Sequence, residues 1–544
     1  MPELRRRVLP EAMDPPPAPR RWAILGVLCV SLLIVTLDNT ILNVALPAIA
    51  RSMHASSSQL QWIVDSYAIV FAGFLLVAGS LGDRLGRKWV LMCGLAVFAA
   101  GSAASAFSGS PAHLIASRAF MGIGAAAIMP CTLSILTNVF VEAEERARAI
   151  GIWSGTTGLG VAIGPVAGGW LLAHFWWGSV FLVNVPIAAV GLVAVAGWVP
   201  NSRDPESRRP DPVGGILSVA GLGLLLWGII AAPTRTWTSP LVVGAIFGAV
   251  LVLVGFMWWE RWYSDPMLEV SLFRSRRFSV AMGSMAMVIF ALMGGLFLLT
   301  QYLQFSLGYS ALEAGLRIAP IAGVLLVVAP LSPALVRRAG TKVVVCAGMI
   351  SIAVGLALLS SVTVHDTYLD TLPSFLLIGM GTGLALAPCT ESVMGSLPLQ
   401  HAGVGAGTNG AALQVGGALG VGVLGSILNS RYQQALTPAL AHYRIPESVL
   451  HLITGSLGGA LIVAQGLGGA AGSELAGAAR HAFISGMDLA VTVAAVVVGM
   501  AAMVAAVLLP SRAPDLTGPA REAQSGKADG QIEDPSPIPP DPGR

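Results

Sequence analysis

The chain has 544 residues, 55% of them hydrophobic and only 11% charged, where soluble domains carry about 25% charged residues. Its 31 basic and 28 acidic residues leave a formal charge of +3 and are bunched between long apolar runs, which excludes a soluble multidomain protein and a nucleic-acid-binding surface. Lipid is the solvent this composition demands.

A spanning helix needs about 20 mostly apolar residues, and the chain offers fourteen candidates, centred near Ile34, Phe71, Phe98, Met129, Gly160, Val190, Leu222, Val250, Phe290, Leu325, Ala353, Gly381, Val421 and Val498. The first follows an Arg-rich arm, residues 1–21, that runs too long for a signal peptide and lacks a small-x-small cleavage site, so it reads as an uncleaved helix. Lys and Arg in alternate loops divide 24 against 5, which predicts both termini in the cytoplasm. The apolar stretch Leu452 to Gly472 carries seven glycines and reads as part of an external loop, 430–482. Residues 510–544, rich in Pro, Asp, Glu and Gly, read as a disordered cytoplasmic tail.

Asp83 to Val90, after the second candidate helix, is echoed by Arg337 to Val344 after the tenth. Setting the seventh and eighth helices aside puts both segments after the second helix of a six-helix block. The predicted architecture is all-α: a six-helix bundle over 22–199, an inserted helix pair with flanking cytoplasmic loops over 200–278, and a second six-helix bundle over 279–509.

Asp38 lies in the middle of the first candidate span, bracketed by Asn39 and Asn43. A carboxylate there costs roughly 2.5 to 3.5 kcal/mol even on a mild insertion scale, so it faces protein or a water-filled cavity. Arg118 in the fourth span comes out at a similar depth, about 10 Å below the face marked by Pro111, with Asp38 about 14 Å below the face marked by Pro47. An ion pair would hold Asp38 charged and burial would favour its neutral form, and the residues alone leave both alternatives open. Asp65 is a second acid inside the second span. Gly82, Asp83, Arg84, Gly86, Arg87 and Lys88 form a short glycine-bearing turn that serves either as a positive-inside anchor or as a gate element. Gly160, Gly164, Pro165, Gly168 and Gly169 give the fifth span a small-residue face and a proline, a packing seam by their physics alone.

Together these segments carry a family resemblance. Gly79 to Lys88 resembles the signature loop of the major facilitator superfamily, and Leu114 to Gly124, with Arg118, is similar to its fourth-helix motif. Gly160 to Gly169 resembles the antiporter motif found in exporters of that superfamily. Leu37 to Pro47, Gln61 to Tyr67, Phe181 to Pro186 and Gly308 to Leu316 look like the fourteen-helix drug:proton antiporter family. The resemblance spans roughly Arg21 to Pro510.

That resemblance implies proton-coupled efflux of lipophilic small molecules by alternating access, from a bacterial plasma membrane, by a protein expected to act as a monomer. It implies a role for Asp38 as the proton-linked acid, with Arg118 as its partner and Asp65 as a further candidate. It places Asn39, Asn43, Tyr67, Gln301, Asn409 and Gln414 along the substrate path and the Asp83 to Lys88 turn at the cytoplasmic gate. Two positions depart from the family pattern: Met121 replaces a common glutamine, and Ala412-Leu413 stands where relatives often have an arginine before Gln414. Glu313, Glu391 and Asp488 all read as lying near helix ends, so the second half offers no acid in mid-membrane, and the expected substrate is neutral or monovalent.

The five cysteines show no CxxC spacing, the eight histidines are scattered, and no HExxH, GxSxG or GxxxxGK[ST] motif occurs. The expected partners are therefore substrate, protons and membrane lipid, with no cofactor, metal, nucleic acid or ATP. A proton-coupled importer and a membrane-embedded enzyme are the competing readings, and the glycine-proline face of the fifth span weighs against the importer.

Overall fold

The computed structural model describes residues 18–203, 211–266, 268, 270–363, 366–394, 402–440 and 445–510. The arm through residue 17 and the tail from 511 lie outside them. Within them the chain is helical, in keeping with the rule that a segment in lipid must satisfy its own backbone groups.

The first half comprises α1 (Ala18–Met53), α2 (Ser57–Leu85), α3 (Arg87–Ala106), α4 (Pro111–Val139), α5 (Ala143–His174), the short α6 (Ser179–Leu182) and α7 (Asn184–Trp198). A hairpin follows, α8 (Pro212–Arg235) and α9 (Pro240–Trp262), leading through a 3-10 turn at Val270–Arg274. The second half holds α10 (Arg276–Gln301), ending in a π-helical turn at Tyr302–Ser306, then α11 (Ala311–Ala339), α12 (Thr341–Leu359), α13 (Tyr368–Met394), α14 (Ala402–Leu440), α15 (Glu447–Gly455), α16 (Leu457–Leu467) and α17 (Gly469–Leu508).

Twelve helices among the described residues are long and apolar enough to cross a membrane, and thirteen if α2, bent by 49° between its stretches Ser57–Leu75 and Val77–Leu85, counts as one span. The fourteen expected from sequence are not all met. α5, 32 residues long, is not counted among them.

The repeat seen in the sequence has a backbone counterpart. Gly86 joins α2 to α3 at φ +112°, and Gly340 joins α11 to α12 at φ +86°. Both torsions lie where a Cβ is disfavoured, so each half makes the same abrupt reversal with the one residue that tolerates it. Between α14 and α17 the chain is largely helical. α16 spans only 11 residues, about 16 Å at 1.5 Å per residue and too short to cross a bilayer.

The hydrogen bonds between the halves gather towards one end of the molecule, where α1 and α5 finish. Gln304 Nε2 donates to the Val44 carbonyl at 2.8 Å, Gln61 Nε2 donates to the Val421 and Gly422 carbonyls at 3.3 and 3.0 Å, and Gly169 lies against Ala311 and Leu312. α8 packs on both halves, through Ala68 and Ile69 of α2, Leu226 and Ile230 of α8, and Ala418 of α14.

Candidate functional site

The polar centre of the first half is assembled from six helices. Asp38 on α1 and Arg118 on α4 are 0% and 1% exposed, with Arg118 Nη1 donating to Asp38 Oδ2 at 2.5 Å. Asn184, the first residue of α7, donates from Nδ2 to Asp38 Oδ1 at 3.1 Å and to Ser102 Oγ of α3 at 3.3 Å. Arg118 Nε donates to the Ile63 carbonyl of α2 at 3.1 Å, and its guanidinium lies 4.3 Å from the centre of the Tyr67 ring and 5.8 Å from that of Phe181, on α6.

Each of these contacts offsets the desolvation of a charge. Moving two ions out of water is repaid only when the geometry is good and the remaining donors and lone pairs are also used. Here both carboxylate oxygens accept a hydrogen bond, and the guanidinium has an ion partner, a carbonyl and two aromatic faces. The similar depths read from sequence correspond to direct contact.

Met121, one turn after Arg118, takes up the place of the family's glutamine in a different way. Its Sδ accepts from Ser105 Oγ at 3.4 Å and Ser102 Oγ at 3.8 Å and lies 3.9 Å from Arg118 Nη1. A polarizable thioether thus closes the cluster as a weak acceptor.

Asp65 is not part of this cluster. It is fully buried on α2 with no hydrogen-bond partner for either oxygen among the described residues, and it faces α14: a Cβ placed on Gly422 would stand 3.3 Å from Asp65 Oδ2.

The other predicted residues divide into groups. Asn39 and Asn43 bond back along α1, to the Val35 carbonyl at 3.1 Å and the Asn39 carbonyl at 3.0 Å. Tyr67 belongs to the Arg118 cluster. Gln301 is buried and donates to the Phe297 carbonyl of its own helix at 3.0 Å, while Asn409 and Gln414 are half-buried on α14. In the turn between α2 and α3, Arg87 Nε pairs with Asp83 Oδ1 at 2.7 Å and Arg87 Nη1 donates to the Ser134 carbonyl at 3.3 Å. Lys88 Nζ donates to the Ala196 carbonyl at 2.7 Å, Arg84 is exposed, and Gly82 sits against Cys131 of α4. Every one of these bonds stays within the first half.

The glycine-proline stretch of α5 is a seam. Gly160 and Gly164 abut Thr36 and Thr40 of α1, Gly168 abuts Ile41, and the Pro165 carbonyl and Gly169 press on α11 at Gly315 and Ala311. Thr40 Oγ1 donates to the Gly160 carbonyl at 3.1 Å, so α1, α5 and α11 approach backbone to backbone, as small faces allow.

In the second half, Glu313 caps the first turn of α11 and Glu391 is exposed near the end of α13. Asp488, predicted near a helix end, stands instead midway along α17, because that helix is 40 residues long. It is exposed, and the 20 residues from there to Leu508 cover about 30 Å, the thickness of a hydrocarbon core. Among the described residues the second half buries no charged side chain.

Comparison with known proteins agrees with this arrangement. Residues 28–421 match the profile of the Major Facilitator Superfamily. The chain belongs to that superfamily. It is 34% identical over 491 residues to the tetracenomycin C resistance and export protein of Streptomyces glaucescens, covering 89% of this chain and 91% of that one. It is also 34% identical over 496 residues to the multidrug efflux pump LfrA of Mycolicibacterium smegmatis, covering 90% and 96%. A bacterial homologue of the lysosomal transporter Spinster shares the fold at a TM-score of 0.61 and 16% identity, covering 90% of this chain and 98% of that one. The protein is thus a multi-span membrane transporter of this superfamily and not an enzyme.

Sequence reasoning missed Asn184 and Ser102. Asn184 falls in a segment, Phe181 to Pro186, that carried the family resemblance with no role attached to its polar residue. An amide two residues before a proline in an otherwise apolar span was the available signal, by the same cost argument that singled out Asp38.

Proposed function

We propose that the protein exports lipophilic small molecules, neutral or singly charged, from a bacterial cell in exchange for protons. In this reading fourteen helices span the plasma membrane, α5 and the bent α2 among them, with α8 and α9 as an inserted pair. Both termini are cytoplasmic, in line with the 24 to 5 bias in basic residues, and the protein works as a monomer. The names of its relatives, which concern resistance, export and multidrug efflux, support the direction of transport.

The observation that carries the coupling is the buried Asp38–Arg118 pair. Protonation of Asp38 removes the charge that holds Arg118 and leaves the guanidinium short of a counter-ion. Because Asp38 ties α1 to α4 and α7, that loss is felt by three helices at once. Transport follows if proton and substrate bias the same two-state equilibrium in opposite senses. The hydrogen bonds between halves lie at the end where α1 and α5 finish, whereas the side chains of the Asp83 to Lys88 turn bond only within their own half. The substrate path therefore opens towards the turn, and Asp83 and Arg87 reach a partner in the second half when the cycle closes that side. Asp65, buried against α14, is a second protonatable group at the seam that parts on opening.

Proteoliposomes with an imposed pH gradient test the assignment. Asp38→Asn keeps the shape and most hydrogen bonds but cannot release a proton, so substrate-dependent proton flux should vanish while some substrate binding survives. Undiminished flux in that variant would overturn the role of Asp38 and shift it to Asp65.

A further inference from the structure

Where α9 runs into α10, the chain folds back on itself around a cavity of about 430 Å³ whose wall includes Glu260, Arg261, Tyr263, Ser271, Phe273 and Arg274. Arg261 and Arg274 are exposed, and neither has an ion-pair partner among the described residues. Two of the acids nearby are engaged elsewhere. Glu260 is buried and accepts from the Leu268 backbone N–H at 2.9 Å, and Asp211 accepts from the Gly214 N–H at 2.9 Å and from Trp259 Nε1 at 2.8 Å. Asp265 is half-buried in the same connection. The donors left at the cavity are two guanidinium groups, a hydroxyl and a phenol.

We propose that this cavity binds the phosphodiester headgroup of an anionic phospholipid. Two guanidinium forks on one concave surface suit a phosphodiester, which each can grip through paired N–H donors. A lipid, rather than a soluble phosphate ester, is indicated by the rim. Trp258 and Trp262 on the adjoining turns of α9 are 63% and 73% exposed, and exposed tryptophans at the end of a spanning helix sit at headgroup depth. Acyl chains would lie along them while the phosphate enters the cavity. The site is at the same end of the molecule as the Asp83 to Lys88 turn. Its assignment to the inner leaflet, where anionic lipid attracts basic groups, rests on the proposed orientation; the binding itself does not. A lipid held there pins the junction through which α9 connects to the second half.

Native mass spectrometry of the purified full chain in detergent, with added phosphatidylglycerol or phosphatidylcholine, tests this without reference to drug transport. Wild type should retain phosphatidylglycerol selectively. R261Q/R274Q should weaken that retention by about tenfold to thirtyfold, at roughly 1 kcal/mol for each arginine near a lipid surface, and R261K/R274K should recover part of it. R337Q/R338Q, which removes a basic pair from the end of α11 at the same face, should leave retention unchanged. Equal retention of the two lipids by wild type, or an equal loss in R337Q/R338Q, would reduce the cavity to generic basic charge and overturn the site. Displacement of the lipid by millimolar glycerol phosphate would overturn the choice of a lipid occupant.

Discussion

The two halves differ in the charge they bury. In the first, Asp38, Arg118, Asn184 and Ser102 bond across helices, joining α1, α3, α4 and α7 through side chains. In the second, Thr300, Gln301 and Thr382 each donate to a carbonyl of their own helix, at 3.0, 3.0 and 2.7 Å. Ser351 and Tyr432 reach the Leu377 and Ile453 carbonyls of neighbouring helices at 2.8 and 2.9 Å, and no charged side chain is buried there among the described residues. A bond within one helix survives any movement of that helix, whereas a bond between helices has to be broken and remade when they move. In the proposed cycle the half that buries the charged pair carries the switch, and the other half supplies the wall it works against. Asp65 belongs to neither pattern: it is on the first half, buried against α14 of the second, and without a partner among the described residues.

The sharpest way to break this contrast is to remove Arg118. Arg118→Ala leaves Asp38 buried beside a cavity, and loss of one member of a buried pair costs about 3–5 kcal/mol. Thermal unfolding of the detergent-purified protein should show a lower midpoint, and efflux should be lost. Arg118→Lys should restore only part of both, because an ammonium cannot serve Asp38 and the Ile63 carbonyl with one planar fork. A variant with unchanged stability would mean that the pair is solvated and the first half is no different from the second.

Next in size is the α1–α5 seam. Gly164→Ala drives a methyl group into Thr40, and overpacking of a tight contact costs about 1–3 kcal/mol. Gly323→Ala in α11 is the matched control from the second half: a Cβ there meets nothing within 4 Å, and the change should stabilise by up to about 1 kcal/mol, since alanine has the higher helix propensity. Unfolding midpoints of the two variants should therefore move in opposite directions.

Asp65→Asn is the smaller test. No partner is lost, and a neutral amide costs less to bury than a carboxylate, so stability should hold or rise by about 1 kcal/mol. If Asp65 exchanges a proton, drug efflux measured across external pH should lose part of its pH dependence. A fall in stability as large as that of Arg118→Ala would reveal a partner for Asp65.

Much of this is legible in the residues. Depth along a helix follows from counting at 1.5 Å per residue, and counting alone brings Asp38 and Arg118 to matching depths. The reversal at Gly86 and its echo at Gly340 are visible as a repeated turn for the same kind of reason. Azimuth is not legible. Counting cannot say that Asp65, two residues after the Arg118-bonded Ile63 carbonyl, points to α14 and away from Asp38, because that depends on how α2 rolls against its neighbours. Helix ends outside the lipid are equally hidden: α17 begins well ahead of the apolar stretch, which puts Asp488 midway along a helix although the stretch itself begins beside it.

The last and smallest effect concerns Met121. The family's common glutamine would offer the Ser102 and Ser105 hydroxyls a carbonyl oxygen, and Arg118 a second acceptor, where this chain offers a thioether. Met121→Gln exchanges side chains of similar length, but the new amide also brings two N–H donors into a site with 0% exposure at that residue. Asp38 Oδ1 and Oδ2 already accept from Asn184 and Arg118, so those donors must share an oxygen or stay unmade, at a cost of about 1–3 kcal/mol for an unsatisfied buried group. The gain of a stronger acceptor offsets part of this, and the net change in unfolding free energy should stay within about 1 kcal/mol. Transport should remain close to wild type, because neither partner of the charged pair is altered. Met121→Ala separates packing from hydrogen bonding: it removes the acceptor and leaves a void, and should cost about 2–5 kcal/mol. If the glutamine variant is as unstable as the alanine variant, the sulfur is a necessary part of the cluster and not a tolerated substitute.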